Sequence, residues 1–197
     1  MPKLHRKSHR HKFRRRSSSV DEEEDEACHP HSYEDDNQFC EQLSAIGLVL
    51  RDVPSDGNCM FHAFSDQLFG TFEKHALLRW ETVNFLRNHK RELLPFCEED
   101  EFDDVLHDLA KPGTFGDHTS LIALARLYSV DVIVHQVGLH PIYVAYSPFR
   151  DHWTRQVHLA LHSIQHYSSV RNPNKKDGPA NVHIDPSKIF SKPEIKN

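Results

Sequence analysis

The apolar positions first fall into a helical register at Phe39, Leu43 and Ile46, one face of a helix that Asp36 or Asn37 can cap and Gly47 can end. A short apolar run, Leu48 to Val53, follows as a strand. Met60, Ala63, Phe64 and Leu68 then recur at helical spacing and predict an amphipathic helix from about Cys59 to Phe69, ended by Gly70. Ala76, Trp80 and Val83, broadened by Phe85 and Leu86, predict a further helix closing before Pro95, with Trp80 as a core anchor. Phe102, Val105, Leu106 and Leu109 mark another apolar face, and Leu121, Leu124, Ala125 and Tyr128 one more. Asp131 to Val137 and Ile142 to Tyr146 read as strands around a Gly138 to Pro141 turn. Val157, Leu159 and Leu161 alternate with His158, Ala160 and His162, the pattern of a half-buried last strand. These elements predict an α+β domain of helices packed around a small central β-sheet.

The ends lack such a pattern. Residues 1–16 carry eight Lys or Arg, and Asp21 to Glu26 are six consecutive acidic residues. With little apolar surface to offset ordering entropy, residues 1–36 are expected to be a disordered basic and acidic tail. The folded domain is then 37–171, and 172–197, rich in Asn, Lys and Pro, a mostly disordered tail in which Ile184 to Phe190 has the composition to dock. The basic block suits nuclear import or a weak nucleic-acid arm, or else a solubilising tail that folds back on its acidic run. Arg15-Arg16-Ser17-Ser18 has the form of a basic-directed phosphorylation site.

No apolar run approaches the roughly 18 residues of a membrane span, and the basic N-terminus has no apolar signal core. A soluble, cytoplasmic chain is expected, with the nucleus as a second compartment, no membrane partner and nucleic acid disfavoured. Cys28, Cys40, Cys59 and Cys97 show no paired short spacing and are expected as thiols. Cys28-His29-Pro30-His31 offers three metal ligands, but in a floppy tail such a set more often holds no ion.

Cys59 follows the loop Pro54-Ser55-Asp56-Gly57-Asn58, where a strand has ended, the chain has turned and a helix begins. The first N–H groups of a helix lack intrahelical partners and the positive end of the macrodipole points outward, which favours a thiolate and can hold an oxyanion. The alternative is a small buried hydrophobe. A base is available at His166, just past the last predicted strand and in a loop. His158, His162 and His166 would stack as metal ligands on a helix, but the alternating apolar pattern argues for a strand. His62, one helical turn beyond Cys59, is the rival base, awkwardly placed on the same helix as the nucleophile.

The Asp56-Gly57-Asn58-Cys59 turn, followed far along the chain by His166-Tyr167-Ser168-Ser169-Val170 behind an apolar strand, closely resembles the OTU (ovarian tumour) family of cysteine deubiquitinases. The likeness runs from about Phe39 to Arg171 and takes in the Lys111 to Gly116 loop and Val132 to Gln136. The resemblance implies an OTU-like cysteine protease fold and hydrolysis of isopeptide bonds between the ubiquitin C-terminus and lysine. It implies Cys59 as nucleophile, His166 as general base and Asp56 as the catalytic-loop aspartate. The turn with Gly57 and Asn58 would hold the oxyanion, and Phe115 and Tyr167 would line the substrate channel. Neither cofactor nor metal is implied. The partners would be ubiquitin, polyubiquitin chains and ubiquitinated proteins, with a monomer as the expected state. The acidic run Glu98 to Glu101, with Asp103, Asp104 and Asp108, reads either as a solvated helix face or as a steering field for ubiquitin's basic surface.

Two positions depart from the family pattern. Phe115 stands where many relatives have Trp, and Ser168 stands where many have Asp or Asn two residues after the histidine. If Ser168 is the orienting residue, Ser168→Asp should raise turnover by up to about tenfold. The same departure suits the alternative of a weak or inactive ubiquitin-binding module.

Overall fold

The computed structural model describes residues 34–93, 99–139, 141–145, 154–162 and 166–185. The basic and acidic segments of the N-terminus, Cys28 to His31, the side chains of Glu98 to Glu101 and the loop carrying Trp153 lie outside the described residues. Among the described residues, six helices, α1 (Glu34–Ala45), α2 (Cys59–Phe69), α3 (His75–Asn88), α4 (Lys90–Leu93), α5 (Glu99–Leu109) and α6 (His118–Tyr128), accompany strands β1 (Val49–Arg51), β2 (Asp131–Gln136), β3 (Ile142–Ala145), β4 (Gln156–His162) and β5 (His166–Arg171). The strands form one mixed sheet in the order β1-β5-β4-β2-β3. β2 and β4 are parallel, and the other pairs are antiparallel.

The two faces of the sheet are covered by different parts of the chain. On one, Val132, Val134, Val157 and Leu159 pack with Met60, Phe61 and Phe64 of α2 and with Leu78, Leu121 and Leu124. On the other, Ala160 and Val170 meet Phe39 and Leu43 of α1 together with Ala180 and Val182. β4 is therefore buried on both faces rather than one, because α1 and the segment after Asn172 close the side that alternation would leave to water. That segment, expected in the C-terminal tail, is described through Asp185. Gln156 clamps it, donating from Nε2 to the Ile184 carbonyl at 2.9 Å and accepting the Ile184 N–H at 2.7 Å.

Several side chains differ from their expected places. Trp80 is 64 % exposed, since Leu78, Thr82, Val83 and Leu86 form the inward stripe of α3 and Arg79 joins them. Val105 and Ile46 are likewise exposed, at the margins of the faces that Leu106 and Leu43 bury. Cys40, expected as a thiol, is disulfide-bonded; a bridge, unlike a metal knuckle, needs no short spacing. Cys59 is free.

Helix α2 is fixed to β5 through polar groups in the core. The fully buried Asp66 carboxylate accepts from Arg171 Nε at 2.7 Å and from Arg51 Nη1 at 2.7 Å. Gln67 donates to the Val170 carbonyl at 2.6 Å and accepts the His158 N–H at 3.0 Å. Removing one partner of such a buried pair typically costs about 3–5 kcal/mol. The helix that begins at Cys59 and the strand that begins at His166 are thus locked in one relative position.

Candidate active site

Between Arg51 and Cys59 the chain turns through a loop braced by its own side chains. The Asp56 carboxylate accepts the Asn58 N–H at 2.8 Å and also meets His62 Nε2 at 3.1 Å. Gly57 has φ 82°, the left-handed region that glycine enters without steric penalty. A Cβ there would lie 2.1 Å from the Gly113 carbonyl oxygen, so the turn is seated directly on the Lys111 to Gly116 loop. The buried Asn58 side chain joins the two, its Oδ1 accepting from the Gly113 N–H at 2.9 Å and from Arg79 Nη2 at 2.7 Å. Arg79 donates further to the carbonyls of Thr114 at 2.7 Å and Leu109 at 2.8 Å and lies over the Phe61 ring at 4.3 Å. One buried guanidinium therefore holds both loops in register.

Cys59 opens α2 and is 3 % exposed. His166 is the first residue of β5 rather than a loop residue, and its imidazole faces the Cys59 thiol closely enough for each to shift the other's protonation, with the Tyr167 backbone also against the thiol. The His166 Nε2–H donates to Asp52 Oδ1 at 2.9 Å. The same oxygen accepts from Ser168 Oγ at 2.9 Å and from the Val53 N–H at 2.9 Å. With Nε2 spent on Asp52, Nδ1 is the nitrogen left for the thiol; it also lies 3.4 Å from Ser55 Oγ.

Burial alone would raise the pKa of the Cys59 thiol, but the facing His166 imidazole and the Tyr167 backbone outweigh this and bring it below its ordinary value. Burial would lower His166, yet the Asp52 bond and the facing Cys59 thiol carry it up to about 9. Asp52 would be raised by burial, and the bonds from His166, the Val53 N–H and Ser168 hold it down at about 2. All three shifts favour a thiolate, an imidazolium and a carboxylate in a line.

The family model described as OTU-like cysteine protease matches residues 54–170, more than half of the chain. The chain belongs to the OTU-like cysteine protease family. It is similar to OTU domain-containing protein 3 of Mus musculus, 38 % identical over 149 residues, which are 75 % of this chain and 37 % of that protein. It is also similar to OVARIAN TUMOR DOMAIN-containing deubiquitinating enzyme 7 of Arabidopsis thaliana, 34 % identical over 148 residues, which are 73 % of this chain and 38 % of that protein. The chain thus spans less than two fifths of the length of these curated relatives. Among solved structures, the OTU domain of OTUD1 superposes with a TM-score of 0.64 at 20 % identity, covering 69 % of this chain and 93 % of that one, a likeness of fold.

Cys59 and His166 are brought together. Asp56 stands in the turn, where its carboxylate is taken up by Asn58 and His62. His62, the rival base, lies between Asp56 and the Phe72 carbonyl, the latter at 3.3 Å. The Asn58 N–H is committed to Asp56, leaving those of Gly57 and Cys59 as the turn's oxyanion candidates. Phe115 and Tyr167 stack with centroids 5.7 Å apart, Tyr167 buried and Phe115 at the surface.

Ser168 does not hold His166 itself. It is fully buried behind Asp52 and donates to that carboxylate, with His162 Nε2 at 2.9 Å on its other side. An aspartate at 168 would face the Asp52 carboxylate, so the expected gain from Ser168→Asp turns into a loss. Asp52 and Arg79 were not singled out from the sequence. Arg79 carries a readable signal, a cation in the apolar stripe of α3, whereas Asp52 carries one only through the pairing of β1 with β5.

Proposed function

We propose that this chain is a deubiquitinase that hydrolyses the isopeptide bond between the ubiquitin C-terminus and a lysine through a Cys59 thioester. The observation that carries this reading is the line Cys59, His166, Asp52, in which a carboxylate at 2.9 Å from Nε2 orients the imidazole and favours its protonated form. Cys59 Sγ attacks the carbonyl carbon, and the N–H groups of Gly57 and Cys59 hold the developing oxyanion. The His166 Nδ1–H passes its proton to the lysine nitrogen as the C–N bond breaks, leaving the thioester. Water then gives a proton to the same imidazole as it attacks, and the free ubiquitin carboxylate and the thiolate separate. Asp56 contributes by shaping the turn rather than by touching the reacting atoms. The Phe115 ring stacks on Tyr167, whose backbone meets the Cys59 thiol, and this aromatic pair is the surface assigned to the slim glycine tail of ubiquitin. Polyubiquitin chains and ubiquitinated proteins are the corresponding substrates, met by a monomer.

The reading as an inactive ubiquitin binder rested on Ser168, and Asp52 supplies the carboxylate that Ser168 lacks. Release of a fluorophore from a ubiquitin C-terminal amide tests the proposal. Turnover that disappears in Cys59→Ala supports it, whereas tight binding without turnover in the unmodified chain would favour the binder. A panel of linkage-defined diubiquitins then identifies the preferred chain.

A further inference from the structure

The hairpin that delivers His166 also delivers a second imidazole that the proposed reaction does not use. In the antiparallel pairing of β4 with β5, His162 stands directly opposite His166, and their rings meet edge to face with centroids 5.2 Å apart. The β1–β5 register, with Arg51 opposite Ser169, brings Asp52 alongside on the next strand. One ligand atom from each of Asp52, His162 and His166 lies within 4.8 Å of the others. Ser168 Oγ donates to Asp52 Oδ1 and accepts from the His162 Nε2–H, each at 2.9 Å, so the buried hydroxyl ties the two side chains together at this edge of the sheet.

We propose that Asp52, His162 and His166 form a binding site for a zinc-class divalent cation, and that the bound ion locks the active site reversibly. Two imidazoles and one carboxylate are a borderline donor set that suits zinc rather than calcium or magnesium, which prefer oxygen alone. Zinc bonds of about 2.0–2.2 Å in a tetrahedron place ligand atoms roughly 3.3 Å apart. The His166–Asp52 separation of 2.9 Å would open by a few tenths of an ångström and the wider pairs would close. Asp52 lies at the surface, which leaves the fourth position open to water.

The ion takes the Nε2 lone pair of His166, and the proton that nitrogen carried leaves to solvent. The ring keeps its Nδ1–H toward Cys59. A neutral imidazole bound to a cation is a much weaker acid than imidazolium, so it does not protonate the departing amine. The oxygen of Asp52 that oriented the ring is occupied at the same time. Acylation stops while the thiol stays chemically intact. The locking effect rests on the deubiquitinase reading; the binding of the ion does not.

Two readouts on the full chain separate these. Cobalt(II), a spectroscopic substitute for zinc, is titrated into the Cys59→Ala chain and followed by its visible ligand-field bands, with zinc displacing it. One equivalent should bind, and His162→Gln in the same background should weaken binding at least tenfold. Zinc chloride is then added during cleavage of a fluorogenic ubiquitin amide in chelator-free buffer. Activity should fall and return with EDTA, and the half-inhibitory zinc concentration of His162→Gln, relative to its own zinc-free rate, should rise at least tenfold. Loss of cobalt binding in Cys59→Ala, or equal zinc sensitivity in His162→Gln, would place the ion on the thiol–imidazole pair and overturn the site. No uptake up to about 100 µM metal would do the same. If His162→Gln fails to fold by circular dichroism, His162→Asn replaces it. A chain with no activity on ubiquitin refutes the enzyme reading, while the cobalt titration still decides the site.

Discussion

Replacing Asp52 by Asn removes one charge from the end of the Cys59–His166–Asp52 line and almost no volume. The lost interaction is a hydrogen bond from an imidazolium to a carboxylate at 2.9 Å. Such charge-assisted bonds contribute about 1.5–3 kcal/mol. The Asp52 side chain is 45 % exposed, so solvent screening places the effect at the lower end, about 1.5–2 kcal/mol. This corresponds to a fall in kcat/KM of about 10- to 30-fold. The loss should sit mostly in kcat, because Asp52 touches the base rather than the bound ubiquitin. The pH profile gives a second readout. Asp52 is a main cause of the rise of His166 to about 9, so the alkaline limb of the Asn variant should move down toward 6.5, the ordinary histidine value. A fluorogenic ubiquitin amide measured across pH suffices for both. A variant within twofold of wild type, with the alkaline limb unmoved, would refute the assignment of Asp52.

Ser168→Asp should lower kcat/KM, because its carboxylate would face that of Asp52, and the exchange Asp52→Ser with Ser168→Asp should recover activity relative to Ser168→Asp alone; failure to recover would show that the two positions are not interchangeable. Arg79→Met removes the side-chain donor to the Thr114 and Leu109 carbonyls and one of the two donors to Asn58 Oδ1, a loss of about 3 kcal/mol or a fall in Tm of roughly 6–12 °C, read by thermal melting, and an unchanged Tm would remove Arg79 from the scaffold. In the unmodified chain, His166 is raised, so the stability it contributes is fully present below 6.5 and is lost as pH rises through about 9. Asp52 is depressed, so its contribution is present above 3.8 and is lost as pH falls through about 2. Urea melts across pH check both in the Cys59→Ala chain, which lacks the opposite-signed contribution of the depressed thiol, and a stability there that rises between pH 7 and 9.5 would contradict the His166 assignment.

The nucleophile was legible because its signal is local: the loop residues, Cys59 and the helical apolar repeat behind it lie between Pro54 and Leu68. His166 was legible as a chemical group but not as a strand residue, since β5 is short and polar at its start and is defined by its partners β1 and β4. Asp52 was illegible for the same reason. It lies 114 positions from His166 in the chain and reaches it only through the β1–β5 register, which continues from Arg51 opposite Ser169. The carboxylate that many relatives carry two residues after the histidine is here supplied from across the strand pair. Trp80 misled because helical spacing cannot say which of two apolar stripes is covered, and the buried cation Arg79 selects the other one. The segment to Asp185 has the sequence of a tail because Ala180, Val182 and Ile184 are separated by polar residues, a pattern that makes sense only once the uncovered face of the sheet is known.

The central claim, a Cys59 thiol activated for ubiquitin's C-terminus, is tested most directly with a ubiquitin whose C-terminus carries an electrophile. The full chain should gain the mass of one ubiquitin, with the adduct mapping to Cys59 by peptide mass spectrometry and absent from Cys59→Ala. Labelling should slow in His166→Ala and remain near wild type in His62→Ala. An unmodified wild-type chain, or an adduct that survives in Cys59→Ala, would contradict the account.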